Sequence, residues 1–188
     1  MNIGIDIDDT ICNSWDNLID EICNDFKLEK RKVIKSKKIY NDLLQLKTKD
    51  YHNYAKEKFM KLLYNPKLKP QVKEVIDELK KENKIIFITA RTDYCYIDAY
   101  NFTKNYLDKN NIYYDKIIVG KIKKAKTCIE ENIDIFIDDS IKNCMEVNKC
   151  NIKTILFENY YNEDCNMFIK AKNWNQILTI IGGINEKK

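Results

Sequence analysis

Five short stretches of the chain are apolar at successive positions: residues 2–7 (NIGIDI), 84–89 (KIIFIT), 116–119 (KIIV), 133–137 (IDIFI) and 152–157 (IKTILF). A strand with one wet face alternates apolar and polar residues, whereas a strand covered on both faces reads as a run. These stretches therefore predict a parallel sheet packed between helices. The intervening segments carry apolar residues at helical spacing, as at Val72, Val75, Ile76 and Leu79 in 72–81, with Pro70 suited to the turn that opens it. Residues 94–107, 124–131, 141–148 and 174–181 supply the other helices. Strand and helix alternate, which predicts a doubly wound α/β fold with a mainly parallel five-stranded sheet.

The alternation fails between residues 13 and 65, where no strand pattern occurs and two or three helices are expected, 14–26 and 50–63 being the clearest. A βαβ crossover is far shorter than this gap, and the surplus of roughly fifty residues predicts a small helical cap inserted after the first strand. The expected division is a catalytic core of residues 1–12 and 70–188 with a cap of 13–69. Within the cap, the lysine-rich block 28–38 (LEKRKVIKSKK) is read as a solvated face in preference to a phosphate-attracting rim. Trp15, Phe26, Tyr40, Tyr51, Tyr54 and Phe59 are read mainly as cap core, with a base-stacking surface as the alternative.

Composition removes several chemistries. A single histidine, His52, excludes zinc hydrolases of the HExxH type, which need two. Lys+Arg total 33 against 29 Asp+Glu, a net charge of +4, but only Arg31 and Arg91 are arginines. Reading of bases and forked phosphate recognition favour arginine, so no nucleic-acid partner is expected. The seven cysteines (12, 23, 95, 128, 144, 150 and 165) are odd in number and contain no CxxC pair, which suits reduced thiols in a cytoplasm better than disulfides or zinc. The start MNIGID is unlike a signal peptide, and no apolar stretch is long enough to span a membrane, so no membrane partner is expected. A cysteine phosphatase needs C-x₅-R, but Asp25 and Ile85 stand where the cysteines would be; a P-loop needs a glycine where Asp115 stands before Gly120-Lys121.

In an open parallel sheet, ligands bind beyond the carboxyl ends of the strands. There the predicted strands end in Asp6-Ile7-Asp8-Asp9-Thr10, in Thr89-Ala90-Arg91-Thr92, in a Gly120-Lys121-Ile122-Lys123-Lys124 segment that enters a helix, and in Asp138-Asp139-Ser140. A lone Asp after a strand is most often a helix N-cap. Two acidic clusters gathered on one edge would instead repel and raise each other's pKa unless a cation lay between them. Oxygen donors without His or Cys select a hard ion, Mg²⁺ foremost.

In this order and context, Asp6-x-Asp8-x-Thr10, Thr89, Lys124 and Asp138-Asp139 resemble the four motifs of the haloacid dehalogenase (HAD) superfamily of phosphatases, over residues 1–12 and 70–188. The resemblance implies that Asp6 is the nucleophile, forming an aspartyl-phosphate, and that Asp8 is the general acid and base. It also implies a Mg²⁺ site made by Asp6, Asp138 and the backbone carbonyl of Asp8, with Asp139 acting through water or orienting the lysine. Thr89, Ala90, Lys124 and Arg91 are the expected phosphate-binding residues, together with Thr10, which secures the loop after the nucleophile. Lys121 is the alternative to Lys124, and a surface ion pair is the alternative reading of Arg91. An acid at position 8 favours phosphoryl chemistry, since a departing halide needs no proton.

Within that superfamily, the segments IGIDIDDT, FITAR, IDIFIDDS and NWNQIL most resemble 5'-nucleotidases of the deoxyribonucleotidase type, although the mammalian enzymes have Gly-Val in place of Asp9-Thr10. A lid after the nucleophile excludes water and bulky partners, which suits a small phosphate ester. The expected activity is a Mg²⁺-dependent phosphatase acting on (deoxy)nucleoside monophosphates. The alternatives are a sugar-phosphate phosphatase or phosphomutase on the same scaffold, or a phosphate-binding regulatory protein without turnover. The oligomeric state is left open, a homodimer included.

Overall fold

A computed structural model describes residues 1–37 and 48–185 of the chain. Six strands, β1 (Asn2–Ile5), β2 (Lys84–Ile88), β3 (Lys116–Ile118), β4 (Ile135–Asp138), β5 (Lys153–Phe157) and β6 (Ile169–Ala171), form one sheet in the order β3-β2-β1-β4-β5-β6. Every neighbouring pair is parallel. The sequence predicts five of these. β6 has only three residues and pairs with β5 alone, at the sheet edge, where Ile169 stays 53% exposed. With Lys170 between the exposed Ile169 and the buried Ala171, it carries no two-faced apolar run for the pattern to reveal.

The doubly buried runs distribute their side chains between two cores with a period of two. From β1, β2 and β4, the side chains of Ile3, Ile5, Ile85, Phe87, Ile135 and Ile137 point to one face. They meet α4 (Val72–Leu79) through Val72, Val75 and Ile76, and α8 (Trp174–Asn185) through Trp174 and Ile177. On the other face Ile86, Ile88 and Phe136 meet Cys128 of α6 (Lys124–Glu130) and Val147 of α7 (Ile141–Asn148). The remaining crossover, α5 (Ala99–Lys109), adds Tyr106 and Leu107 to the first face. This helix starts later than the apolar spacing from residue 94 predicts. Asp98, at φ 55°, accepts from the backbone N–H of Asn101 and caps it, while Asp93 accepts from that of Ala99.

Between β1 and α4 lie α1 (Ser14–Asp25), α2 (Lys30–Ser36) and α3 (Thr48–Leu62). The chain leaves and re-enters the core side by side. Asn13 N–H donates to the Lys67 carbonyl and Lys69 N–H to the Ile11 carbonyl, both at 2.9 Å. Trp15, Leu18, Ile19, Ile22, Val33 and Leu63 form a hydrophobic cluster of their own, completed by Tyr96 and Ala99 from beyond β2. Most of the lysine-rich block is the short, mainly exposed helix α2, while Lys38 lies outside the described residues. Trp15 is buried, and Phe26 and Tyr54 pack edge to face at 5.2 Å against the cluster, as cap core rather than as a free stacking surface. Tyr40 and the side chains of Tyr51, His52 and Phe59 lie outside the described residues. No helix among the described residues is long and apolar enough to cross a membrane.

Candidate active site

The chain runs outward from β1 through β2 to β3, then returns to place β4 on the other side of β1. That reversal is the topological switch point at which open α/β sheets bind ligands. Ile5 pairs with Ile137, and the Asp6 N–H donates to the Ile137 carbonyl at 2.9 Å, so Asp6 and Asp138 emerge together at the carboxyl edge. Asp6, Asp138 and Asp139 are all buried, and each brings a carboxylate oxygen within 4.8 Å of the others.

Among the described residues, one cation enters this cluster. Lys124, the first residue of α6, is 2% exposed, and its Nζ donates to Asp6 Oδ1 at 2.5 Å and to Asp138 Oδ2 at 2.7 Å. Lys121, Lys123 and Lys126 are exposed, which separates the two lysines that the motif leaves open. Asp138 also accepts from the Ser140 N–H at 2.7 Å and from Asn143 Nδ2 at 3.0 Å. It is thus Asp138, not Asp139, that orients the lysine. Asp139 takes different partners, accepting from Thr10 Oγ1 at 3.1 Å and Tyr161 OH at 2.6 Å. Thr10 Oγ1 accepts in turn from the Asp139 N–H, and Trp174 Nε1 donates to the Thr10 carbonyl at 3.2 Å. These bonds tie the loop after β1 to the end of β4 and to α8.

Asp8 leaves the carboxylate cluster for a different partner. Arg91 Nε and Nη2 fork its two oxygens at 2.9 and 2.7 Å, and Ser14 Oγ donates to Oδ1 at 2.5 Å. Arg91 is 2% exposed, so the reading of it as a surface ion pair gives way to a buried one. It sits beside Thr89, whose Oγ1 accepts from the Arg91 N–H at 3.3 Å, while Ala90 is exposed at the tip of this turn. Gly120 N–H donates to the Arg91 carbonyl and Lys121 N–H to that of Thr89, so the end of β2 and the segment after β3 brace each other. Asp9, at φ 61°, turns away and accepts from the Trp15 N–H at 2.8 Å, fastening the start of α1.

The charges do not balance locally. Burial lifts Asp6 well above the ordinary carboxylate range, Lys124 pulls it down, and Asp138 and Asp139 push it up again. Burial, then Asp138 and Asp9, raise Asp139 to about 7. Burial opposes the Lys124 ammonium, but Asp138 and Asp6 outweigh it and lift Lys124 above its usual value. Asp8 departs the other way: burial raises it, yet the charge and fork of Arg91 and the Ser14 hydroxyl bring it below the ordinary value. Three buried carboxylates against one ammonium are short of positive charge. A hard divalent ion on this all-oxygen donor set fits both the shortage and the chemistry of the donors.

Motif spacing finds Asp6, Asp8, Thr10, Thr89, Lys124, Asp138 and Asp139. It misses Ser14, Asn143, Tyr161 and Asn162, the last of which bonds the Asp139 and Phe157 carbonyls through Nδ2. Their one sequence signal is location: Tyr161 and Asn162 follow β5, and Asn143 lies in the first turn of the helix after β4.

Comparison with known proteins converges with this geometry. The family model described as "5' nucleotidase, deoxy (Pyrimidine), cytosolic type C protein" matches residues 1–188. A nucleotidase of Clostridium acetobutylicum is 32% identical over 191 residues, covering 100% of this chain and 96% of its own. Among solved structures, a haloacid dehalogenase-like hydrolase from Streptococcus pneumoniae superposes with a TM-score of 0.67 at 16% identity, over 96% of this chain and 97% of its own. Magnesium-bound YfnB from Bacillus subtilis does so with a TM-score of 0.64 at 11% identity, over 96% and 97%. The chain belongs to the cytosolic type C 5'-nucleotidase family and is a phosphoric monoester hydrolase on the HAD-like α/β fold.

Proposed function

We propose that the protein is a Mg²⁺-dependent phosphatase that hydrolyses a (deoxy)nucleoside monophosphate through an aspartyl-phosphate on Asp6. The observation that carries this reading is the buried Asp6–Lys124–Asp138 triad beside Asp139, with a second carboxylate, Asp8, two residues from Asp6 and held apart from it. Asp6, Asp138 and Asp139 are the side chains that would hold the ion, with the Asp8 backbone carbonyl added by the family resemblance. Bound there, Mg²⁺ would neutralise phosphoryl charge and keep Asp6 ionised. The magnesium-bound YfnB neighbour supports the choice of ion.

Lys124, the Thr89 hydroxyl and the backbone around Ala90 hold the phosphoryl oxygens. An Asp6 oxygen bonds to phosphorus as the ester P–O bond breaks, and Asp8 gives its proton to the departing oxygen. Asp8 then takes a proton from the water that attacks phosphorus and releases Asp6. Arg91 holds Asp8 ionised in the free site, so that proton enters with the substrate, as a phosphate ester keeps one up to about pH 6. Residues 1–12 and 70–188 act as the catalytic core, and 13–69 as the cap that closes the site to bulky esters. Contacts between this segment and the loop after β5 support the reading: Trp15 Nε1 donates to Tyr160 OH, Lys37 pairs with Glu163 and Asp164, and Lys69 Nζ donates to Asn159 Oδ1 at 3.0 Å. The free thiols and the family's cytosolic description support a cytoplasmic location.

The test is phosphate release from a panel of nucleoside monophosphates, sugar phosphates and an aryl phosphate, with Mg²⁺ and with chelator. The proposal expects release that requires the metal and runs fastest on nucleotides. Comparable rates on sugar phosphates would defeat the nucleotidase assignment, and release from no ester would defeat turnover altogether.

A further inference from the structure

Resting on the phosphatase reading above, we infer that Arg91 is the positioning residue of the acid–base carboxylate Asp8 and not a ligand of the phosphoryl group. Three observations carry this. First, the guanidinium spends its Nε and Nη2 on both oxygens of Asp8, at 2.9 and 2.7 Å, a fork that fixes the plane of the carboxylate as well as its distance. Secondly, the pair is asymmetric toward solvent: the Asp8 side chain is 24% exposed and that of Arg91 is 1% exposed. Arg91 therefore lies behind Asp8 relative to any entering ester. Thirdly, the rest of the guanidinium is enclosed by aromatic rings. Its Cζ lies 5.8 Å from the Tyr96 centroid and 5.6 Å from those of Phe102 and Tyr106, within the range of cation–π attraction. Among the described residues the buried Nη1 has no hydrogen-bond partner, a state that the three rings make tolerable.

Contact with a phosphoryl oxygen would require Arg91 to break the fork, leave the rings and pass the carboxylate it holds. With the fork intact, one Asp8 oxygen is also fixed by Ser14 and the other is held, among the described residues, by Arg91 Nε alone. Oδ2 is thus the oxygen left to face the leaving group and later the water. Lysine carries the same charge without the fork, so it separates geometry from electrostatics.

The test compares wild type with Arg91→Lys and Arg91→Gln on a nucleoside monophosphate and on p-nitrophenyl phosphate, whose leaving group needs little protonation. Inhibition by inorganic phosphate is measured alongside. Arg91→Lys should lower kcat/KM on the nucleotide, which reports the steps through loss of the leaving group and not the later attack of water, on the order of 10- to 100-fold, as expected for a misplaced catalytic group. The aryl ester should lose no more than about 3-fold, because protonation contributes little there. The inhibition constant of phosphate should stay within about 2-fold, since the lost interaction is not with the phosphoryl group. Equal losses on both esters would overturn the assignment, and weakened phosphate inhibition would make Arg91 a phosphate ligand after all. Should the variants fail to fold, a wild-type crystal structure with Mg²⁺ and inorganic phosphate decides: an Arg91 nitrogen within hydrogen-bond distance of the phosphate overturns the inference, and an intact fork supports it. An inactive wild type would remove the phosphatase reading and this proposal with it, whereas an active wild type with evenly impaired variants removes only this proposal.

Discussion

Asp6 and Asp8 stand two residues apart on one loop, yet their surroundings push them in opposite directions. Asp6 lies among carboxylates and is driven upward by burial, while Asp8, only partly buried, is brought down by Arg91 and Ser14. Two acids with different environments can hold different roles, as a nucleophile and a proton carrier must. Asp6→Asn keeps the shape and removes one charge from a crowded group, leaving Lys124 its bond to Asp138. Phosphate release should fall by roughly 10³-fold or more, as for loss of a nucleophile. The thermal midpoint should hold or rise, because a buried like-charge conflict has been relieved. Activity retained within tenfold of wild type, measured by phosphate release on folded protein, would move the nucleophile elsewhere. The placement of both residues at the edge is legible from sequence because a strand's carboxyl end has a fixed location in this sheet. The Arg91 fork is not, since a side chain that leaves a turn can point to solvent or back into the core. Tyr161 is hidden for a related reason: it reaches Asp139 across 22 positions from a loop without a motif.

β1 shows how closely an element must be fitted for those residues to meet. A Cβ placed on Gly4 would lie 3.0 Å from Phe136 Cδ2 and 3.2 Å from Ile133 Cγ2, both on or beside β4. The methyl of Gly4→Ala therefore requires the side chains of Phe136 and Ile133 to give way beside the strands that deliver Asp6 and Asp138. Such overpacking costs about 1–3 kcal/mol. Urea denaturation should show that loss, and kcat should fall with it because Asp6 shifts relative to Asp138. Unchanged stability would mean that Phe136 yields freely and that strand spacing is not set there. The other five strands and the split around the helical insertion are legible because each strand lies in a run of consecutive apolar residues, and the insertion is a long stretch without one. β6 is not, because Lys170 interrupts it and Ile169 is exposed, so unlike the equally short edge strand β3 it has no apolar run. The late start of α5 escapes notice as well, since the apolar spacing continues through 94–98 while Asp93 and Asp98 set the true boundary.

At the scale of the whole molecule, the net charge of +4 conceals a core with a local excess of negative charge. Asp139, raised to about 7 from an ordinary 3.8, is the group through which that excess should be felt in stability. Between those two values the folded protein keeps a proton that the unfolded chain has released, so stability is full below about pH 4 with respect to this group and is lost as pH rises toward 7. The contribution is on the order of 1–3 kcal/mol. A divalent ion binding the carboxylates must displace that proton, and its own stabilisation grows with concentration over affinity, to about 2.7 kcal/mol at a hundredfold excess over Kd. Thermal midpoints measured at pH 5.5 and 7.5, with chelator and with saturating Mg²⁺, should therefore show a larger metal-induced rise at pH 7.5. Taking the difference at each pH cancels groups elsewhere that titrate alike in both conditions. Asp139→Asn should reduce the rise at pH 7.5 and flatten its dependence on pH, because the proton that competes with the ion is gone. An equal rise at both pH values in the wild type would show that Mg²⁺ meets no proton in this cluster, and would place the metal away from Asp139.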